Sequence, residues 1–148
     1  LDSLVSDFPR NRLFVLEQGS AAIRAGQMER AEDVLTRGLA AFEHDDRRKI
    51  PGERALWLYK RGLARLGRDH RPDAVADLRS ALQNNPESWI GGRIHLALGK
   101  LADLDGHREA AVAEYQQARA IGLKANDPSC TTEANRWLKQ PFSFLQKS

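Results

Sequence analysis

Apolar residues in this chain recur every three or four positions and never run together for long; Leu13 to Leu16 is among the longest unbroken stretches. Such spacing belongs to amphipathic helices, which turn once in about 3.6 residues and bury a single stripe. Residues 52–67 show it clearly, with Ala55, Leu56, Tyr59, Gly62, Leu63 and Leu66 at i, i+3, i+4 intervals. The pattern predicts helices over 11–24, 28–44, 52–67, 71–84, 88–104 and 108–121. Pro51, Pro72 and Pro86 fall in or just before first turns, where a missing N–H is harmless. Gly26, Gly67 and Gly106 fall at helix ends, where a left-handed residue is needed. Gly91 and Gly92 are costly inside a helix, about 1 kcal/mol each against alanine, and mark either a late helix start or a close approach of backbones. Farther on, Asp127 and Pro128 read as an N-cap and a first helical residue, followed by Ala134, Trp137 and Leu138 on one face.

A second regularity overlies the first. Gly19, Ala31, Leu35 and Gly38 are separated by 12, 4 and 3 residues. The same spacing recurs in Gly62, Ala74, Leu78 and Ala81, and again in Gly99, Ala111, Tyr115 and Ala118. The three blocks are offset by 43 and 37 residues, so the extra length lies between blocks. Small residues let two antiparallel helices approach closely, and the large one fills the space beside them.

This pattern resembles the tetratricopeptide repeat family, which sets Gly or Ala, then Ala, then an aromatic or Leu, then Ala, often followed by Pro. Pro86, five residues after Ala81, stands at the family's proline position, and Pro9 would close a preceding repeat. The resemblance implies an all-α fold, a right-handed superhelix of antiparallel helix pairs (an α-α solenoid) forming one domain. Its parts would be the end of a preceding repeat (1–10), repeats over 11–45, 52–86 and 88–122, a capping helix (127–140) and a tail (141–148). There are departures. The family period is about 34 residues, so both linkers are long, the first by nine residues and the second by three. Arg65 replaces an aromatic and Gly38 replaces the later Ala.

Composition adds little to this picture. The 148 residues are 41% apolar and 29% charged, as in soluble globular proteins with one core. No membrane span and no signal peptide are visible, and a single cysteine, Cys130, excludes an internal disulfide. The compartment stays open, with the cytoplasm favoured; a chain beginning at Leu1 rather than Met is also what a fragment would give. Charge distribution says more. The net charge is +3, yet residues 47–71 alone carry +7, which points to an acidic partner.

The chemical candidates are thin. Asp103, Asp105, His107 and Glu109 crowd seven positions, but Gly106 follows Asp105 directly, so a calcium loop lacks its third ligand. His70 stands at the position equivalent to His107. Equivalent turns are a helix pair apart, each step about 8–10 Å, too far for a metal with bonds of about 2 Å. Asp105, Gly106 and His107 therefore read as an interhelical turn, with Asp105 and Asp69 as partners for free N–H groups. His44, Asp45 and Asp46 read as a solvated linker, His95 as a hydrogen-bonded core residue and Cys130 as a buried thiol. No nucleophile motif, phosphate loop or metal-protease motif occurs. The expectation is no enzyme, no cofactor and no metal.

In proteins of the resembled family the first helix of each pair lines a concave groove. The corresponding positions are Leu13, Leu16, Ser20 and Arg24 in block one, Leu56, Tyr59 and Leu63 in block two, and Arg93, Leu96, Lys100 and Asp103 in block three. A groove with an apolar floor and a cationic end suits an amphipathic helix or extended peptide with an acidic flank; the alternative for residues 52–67 is that the apolar face is simply core. The family's carboxylate clamp is missing, since Leu16 and Ser20 stand where its Lys and Asn should be. The runner-up is nucleic-acid or acidic-partner binding by Arg54, Arg61, Arg65 and Arg68, which fall on one stripe that lacks aromatics for base stacking. The expected partner is thus a protein or peptide, with self-association through the ends, including Phe142 and Phe144, left open.

Overall fold

The computed structural model describes residues 12–145. Among them are seven α-helices and no strand: α1 Arg12–Arg24, α2 Met28–Glu43, α3 Glu53–Gly67, α4 Arg71–Leu82, α5 Ser88–Leu104, α6 Arg108–Lys124 and α7 Pro128–Lys139. The chain is all-α. It divides after Asn85 into two compact units, the first holding α1–α4 and the second α5–α7. No described helix is long and apolar enough to cross a membrane.

Helices pair as α1 with α2, α3 with α4, and α5 with α6, and the recurring residues sit where each pair closes. Ala31, Ala74 and Ala111 are completely buried. The glycine of each block faces the block's large residue. A Cβ on Gly19 would stand 2.4 Å from Leu35, one on Gly62 2.8 Å from Leu78, and one on Gly99 2.4 Å from Tyr115. Only a residue without a side chain allows this approach. Gly38, where the repeat pattern expects Ala, has its own cause: a Cβ there would lie 2.5 Å from the Trp57 ring of α3.

The paired helices share one turn. Gln27 N–H donates to Ala22 O at 2.8 Å, His70 N–H to Arg65 O at 2.9 Å, and His107 N–H to Ala102 O at 2.9 Å. The residue before each has positive φ: Gly26 at 76°, Asp69 at 60° and Gly106 at 79°. These are Schellman turns, which satisfy the last carbonyls of one helix while starting the next. A fourth, through Asn126, leads into α7, with Asp127 N–H donating to Gly122 O at 2.8 Å. Two expectations are corrected here. The left-handed residue of the second turn is Asp69, not Gly67, because the turn geometry sets it two positions later and Asp tolerates that region. Nor does Asp69 cap α4: its carboxylate accepts from Arg71 Nε at 2.6 Å, while Asp105 is the C-cap of α5.

The long first linker is exposed but anchored at its two ends. Arg12, opening α1, donates to Asp45 at 2.9 Å, to Glu53 at 2.6 Å and to the Arg48 carbonyl at 3.2 Å. Asp45 and Glu53 are both buried by this clamp, so Asp45 is a structural group and not part of a solvated run.

In the second unit the core gathers Leu96, Ala111, Tyr115, Ala118, Cys130, Ala134 and Trp137. The tail folds back on it: Phe142 meets Trp137 edge-on at 5.0 Å between ring centroids, and Phe144 packs on Phe142 at 5.6 Å. Gly91 and Gly92 lie within α5, which begins at Ser88, so there is no late start. Gly92 fits closely, a Cβ meeting Ile121 at 3.1 Å, whereas a Cβ on Gly91 meets nothing within 4 Å. Gly91→Ala is therefore expected to stabilise the protein by about 0.5–1 kcal/mol in urea unfolding, through reduced freedom of the unfolded chain. Gly92→Ala should gain less.

Candidate interaction surface

The groove positions split between the two units. In the first, α1 and α3 lie side by side. Leu13, Glu17, Ser20 and Arg24 form one stripe of α1, and Leu56, Lys60 and Leu63 form one of α3, with 13, 17 and 20 equivalent to 56, 60 and 63 by the 43-residue offset. Leu13 is 60% exposed, while Leu56 and Leu63 are half-buried. Arg24 donates to Glu17 at 2.8 Å and holds its carboxyl below the usual range, with a smaller pull from Lys60 across on α3. Leu16, Ser20 and Tyr59 are buried; Ser20 Oγ–H donates back to Leu16 O at 3.2 Å. The apolar face of α3 is thus mostly core, through Ala55, Tyr59 and Leu66, and only Leu56 and Leu63 reach the surface beside α1.

In the second unit the corresponding positions are already engaged. Arg93 makes two hydrogen bonds to Asp127, at 2.8 and 3.0 Å, which hold that carboxyl below its ordinary pKa. Leu96 is in the core. Lys100 donates to Glu133 at 2.7 Å and lies 5.2 Å from the Phe142 ring centre. Asp103 is the most enclosed of all, its side chain 1% exposed. It accepts from Tyr115 Oη–H at 2.7 Å, Arg108 Nη1 at 3.0 Å and Phe142 N–H at 2.9 Å. α7, its N-cap residue and the tail supply Glu133, Asp127 and Phe142 among these partners. Helix periodicity carries no signal for these particular pairs, whose partners lie up to 39 residues away.

Three of the four arginines of the stripe are engaged in partly buried ion pairs within the first unit. Arg61 donates to Asp77 through two nitrogens, each at 2.8 Å; Arg65 bridges Glu32 at 2.9 Å and Asp77 at 3.0 Å. Arg68 reaches Glu32 at 2.9 Å, and Arg54 reaches Glu43 at 3.4 Å. Burial works to raise the Glu32 pKa, but the hydrogen bonds from Arg65 and Arg68 outweigh it and leave the carboxyl below the ordinary range. These pairs tie α3 to α2 and α4. An open recess of about 1120 Å³ beside them is lined by Glu29, Glu32 and Asp33 as well as Arg30, Arg65 and Arg68, so its charges balance.

The remaining chemical candidates are placed without convergence. His95 Nδ1 lies 2.9 Å from Glu114, His107 is the N-cap residue of α6, and His70 is 3.8 Å from Glu32. Cys130 is buried against the Ala118 carbonyl, and burial pushes its thiol up to about 11, away from thiolate chemistry. Among the described residues no three His, Cys, Asp or Glu side chains come together as metal ligands would. The helical hairpins place the chain in the broad class of all-α proteins built from paired helices. Comparison with protein-family models, curated proteins and solved structures finds no match for it.

Proposed function

We propose that this chain is a tetratricopeptide-like module with no catalytic role, and that it binds a helix or extended segment of a protein partner along the α1–α3 face. The observation that carries this is the repeated closure of helix pairs by Gly19 on Leu35, Gly62 on Leu78 and Gly99 on Tyr115, the packing that the resembled family uses to present its first helices. In the proposed arrangement the pairs continue as a right-handed solenoid. The face itself supports a peptide: Leu13, Leu56 and Leu63 offer apolar contacts, and Glu17, Lys60 and Arg24 fix polar register. Arg93, Lys100 and Asp103 are left out of the binding set, because each is paired inside its own unit. Arg61, Arg65 and Arg68 are left out for the same reason.

Affinity capture from native lysate tests this, comparing the wild type with Leu56→Asp/Leu63→Asp. Tyr59 is a poor probe because it is buried. The expected result is a partner retained by the wild type and lost by the double variant, with unchanged helical circular dichroism. Equal capture by both would count against the α1–α3 face.

A further inference from the structure

A second surface lies on the first unit, away from any position the groove reading uses. The linker 46–51 is exposed at every residue, from Asp46 to Pro51. Its conformation is nonetheless fixed. Arg12 grips Asp45 before it, Glu53 after it and the Arg48 carbonyl within it. Ile50 N–H donates to the Glu53 carboxylate at 3.4 Å, and Glu53 N–H donates to Ile50 O at 3.0 Å. Gly52 turns the chain with φ 82°, where a Cβ would press the Asn85 carbonyl at 3.1 Å. With its backbone held on both sides, the Ile50 side chain is still 59% exposed.

Ile50 itself lines a hollow of about 320 Å³, together with Phe42, Glu43, Lys49, Gly52, Arg54 and Asn84. Lys49 Nζ sits 4.6 Å from the Phe42 ring centre. Arg47 is spent on Asp45. Among the described residues Arg48 and Lys49 have no carboxylate within ion-pair distance, and the Arg54–Glu43 pair is long at 3.4 Å and exposed, the kind that exchanges readily for an incoming acid.

We infer that this loop and hollow form a docking site for an acidic protein segment carrying an apolar side chain, with the exposed Ile50 meeting the apolar group and Arg48, Lys49 and Arg54 the carboxylates. Charge complementarity selects this occupant. The clamp removes most of the cost of ordering the loop on binding. Single-stranded nucleic acid is disfavoured because it binds by stacking bases on free aromatic faces, and Phe42 is only 2% exposed.

The test is fluorescence anisotropy of the whole chain with a short labelled peptide of Asp and Glu around a central Leu-Phe pair. Binding should weaken with salt, fall about tenfold in Arg48→Glu/Lys49→Glu and about fivefold in Ile50→Ser. A peptide with Ser in place of Leu-Phe should lose a similar factor. These side chains are exposed, so circular dichroism should show an unchanged fold. No binding at low salt, affinity unmoved by either variant, or tighter binding of single-stranded RNA or phosphatidylserine vesicles would each overturn the inference. Leu56→Asp/Leu63→Asp should leave this peptide's affinity unchanged, separating the site from the α1–α3 face.

Discussion

Replacing Asp103 with alanine should lower the stability of the second unit by about 3 kcal/mol, measured by urea unfolding. The carboxylate serves three donors from three places: Tyr115 of α6, Arg108 at the start of α6 and the Phe142 N–H of the tail. Arg108 extends the network, donating to the Trp137 and Leu138 carbonyls at 2.8 and 3.1 Å. Arg108 is partly exposed and recovers water when its partner goes. The Tyr115 hydroxyl is enclosed and does not, so the cost comes mainly from that donor and from release of the tail. Tyr115→Phe should cost less, since it removes one donor and leaves Asp103 two. The fluorescence of Trp137, against which Phe142 packs, reports tail release directly. Unchanged stability together with unchanged emission would show that the carboxylate does not hold the tail.

The glycine of each block should be the least tolerant position of its helix pair. Gly19→Val, Gly62→Val and Gly99→Val are each expected to destabilise by about 3 kcal/mol, as the new side chain drives against Leu35, Leu78 or Tyr115. Two opposing effects are present. A residue with a Cβ reduces the freedom of the unfolded chain by up to about 1 kcal/mol, but valine also adds two methyl groups to a contact already too close for one. Overpacking wins. Gly26→Ala is the useful contrast: nothing stands within 4 Å of its Cβ, and the cost there comes from φ 76° alone. If the three valine variants matched the wild type in thermal melts, the repeat pattern would not mark helix closure.

Much of the fold was legible because it depends on local chemistry. The 3.6-residue period fixed the helices to within about two or three residues at each end, and the small–large spacing located the closing contacts. The second turn misled, because Gly67 drew attention while Asp69 supplied the left-handed residue; a glycine in sequence does not reveal which turn position takes positive φ. Gly67 instead serves packing, where a Cβ would press Met28 at 2.7 Å. The candidate site was less legible for a different reason. Arg61, Arg65 and Arg68 form a solvated-looking stripe by periodicity, yet their carboxylates come from α2 and α4, 12 to 36 residues away. Helix phase cannot report such pairing, nor that Lys100 and Asp103 meet the chain's own C-terminal segment. Arg12 carries no motif at all, and its role follows only from seeing Asp45 and Glu53 converge on it.

That clamp has a further consequence for how the sequence is free to vary. The contacts that close α1 on α2 and α3 on α4 use none of residues 46–51. Arg12, Asp45 and Glu53 fix where the loop begins and ends; between them Arg47 turns back onto Asp45 and Lys49 lies over Phe42, while Asp46, Arg48 and Ile50 are exposed. Substitutions at Asp46, Arg48 and Ile50 can therefore change what the surface presents with little penalty to folding. The extra length between the first two blocks thus separates two tasks: the glycine contacts hold the hairpins closed, and the loop sets what the surface offers.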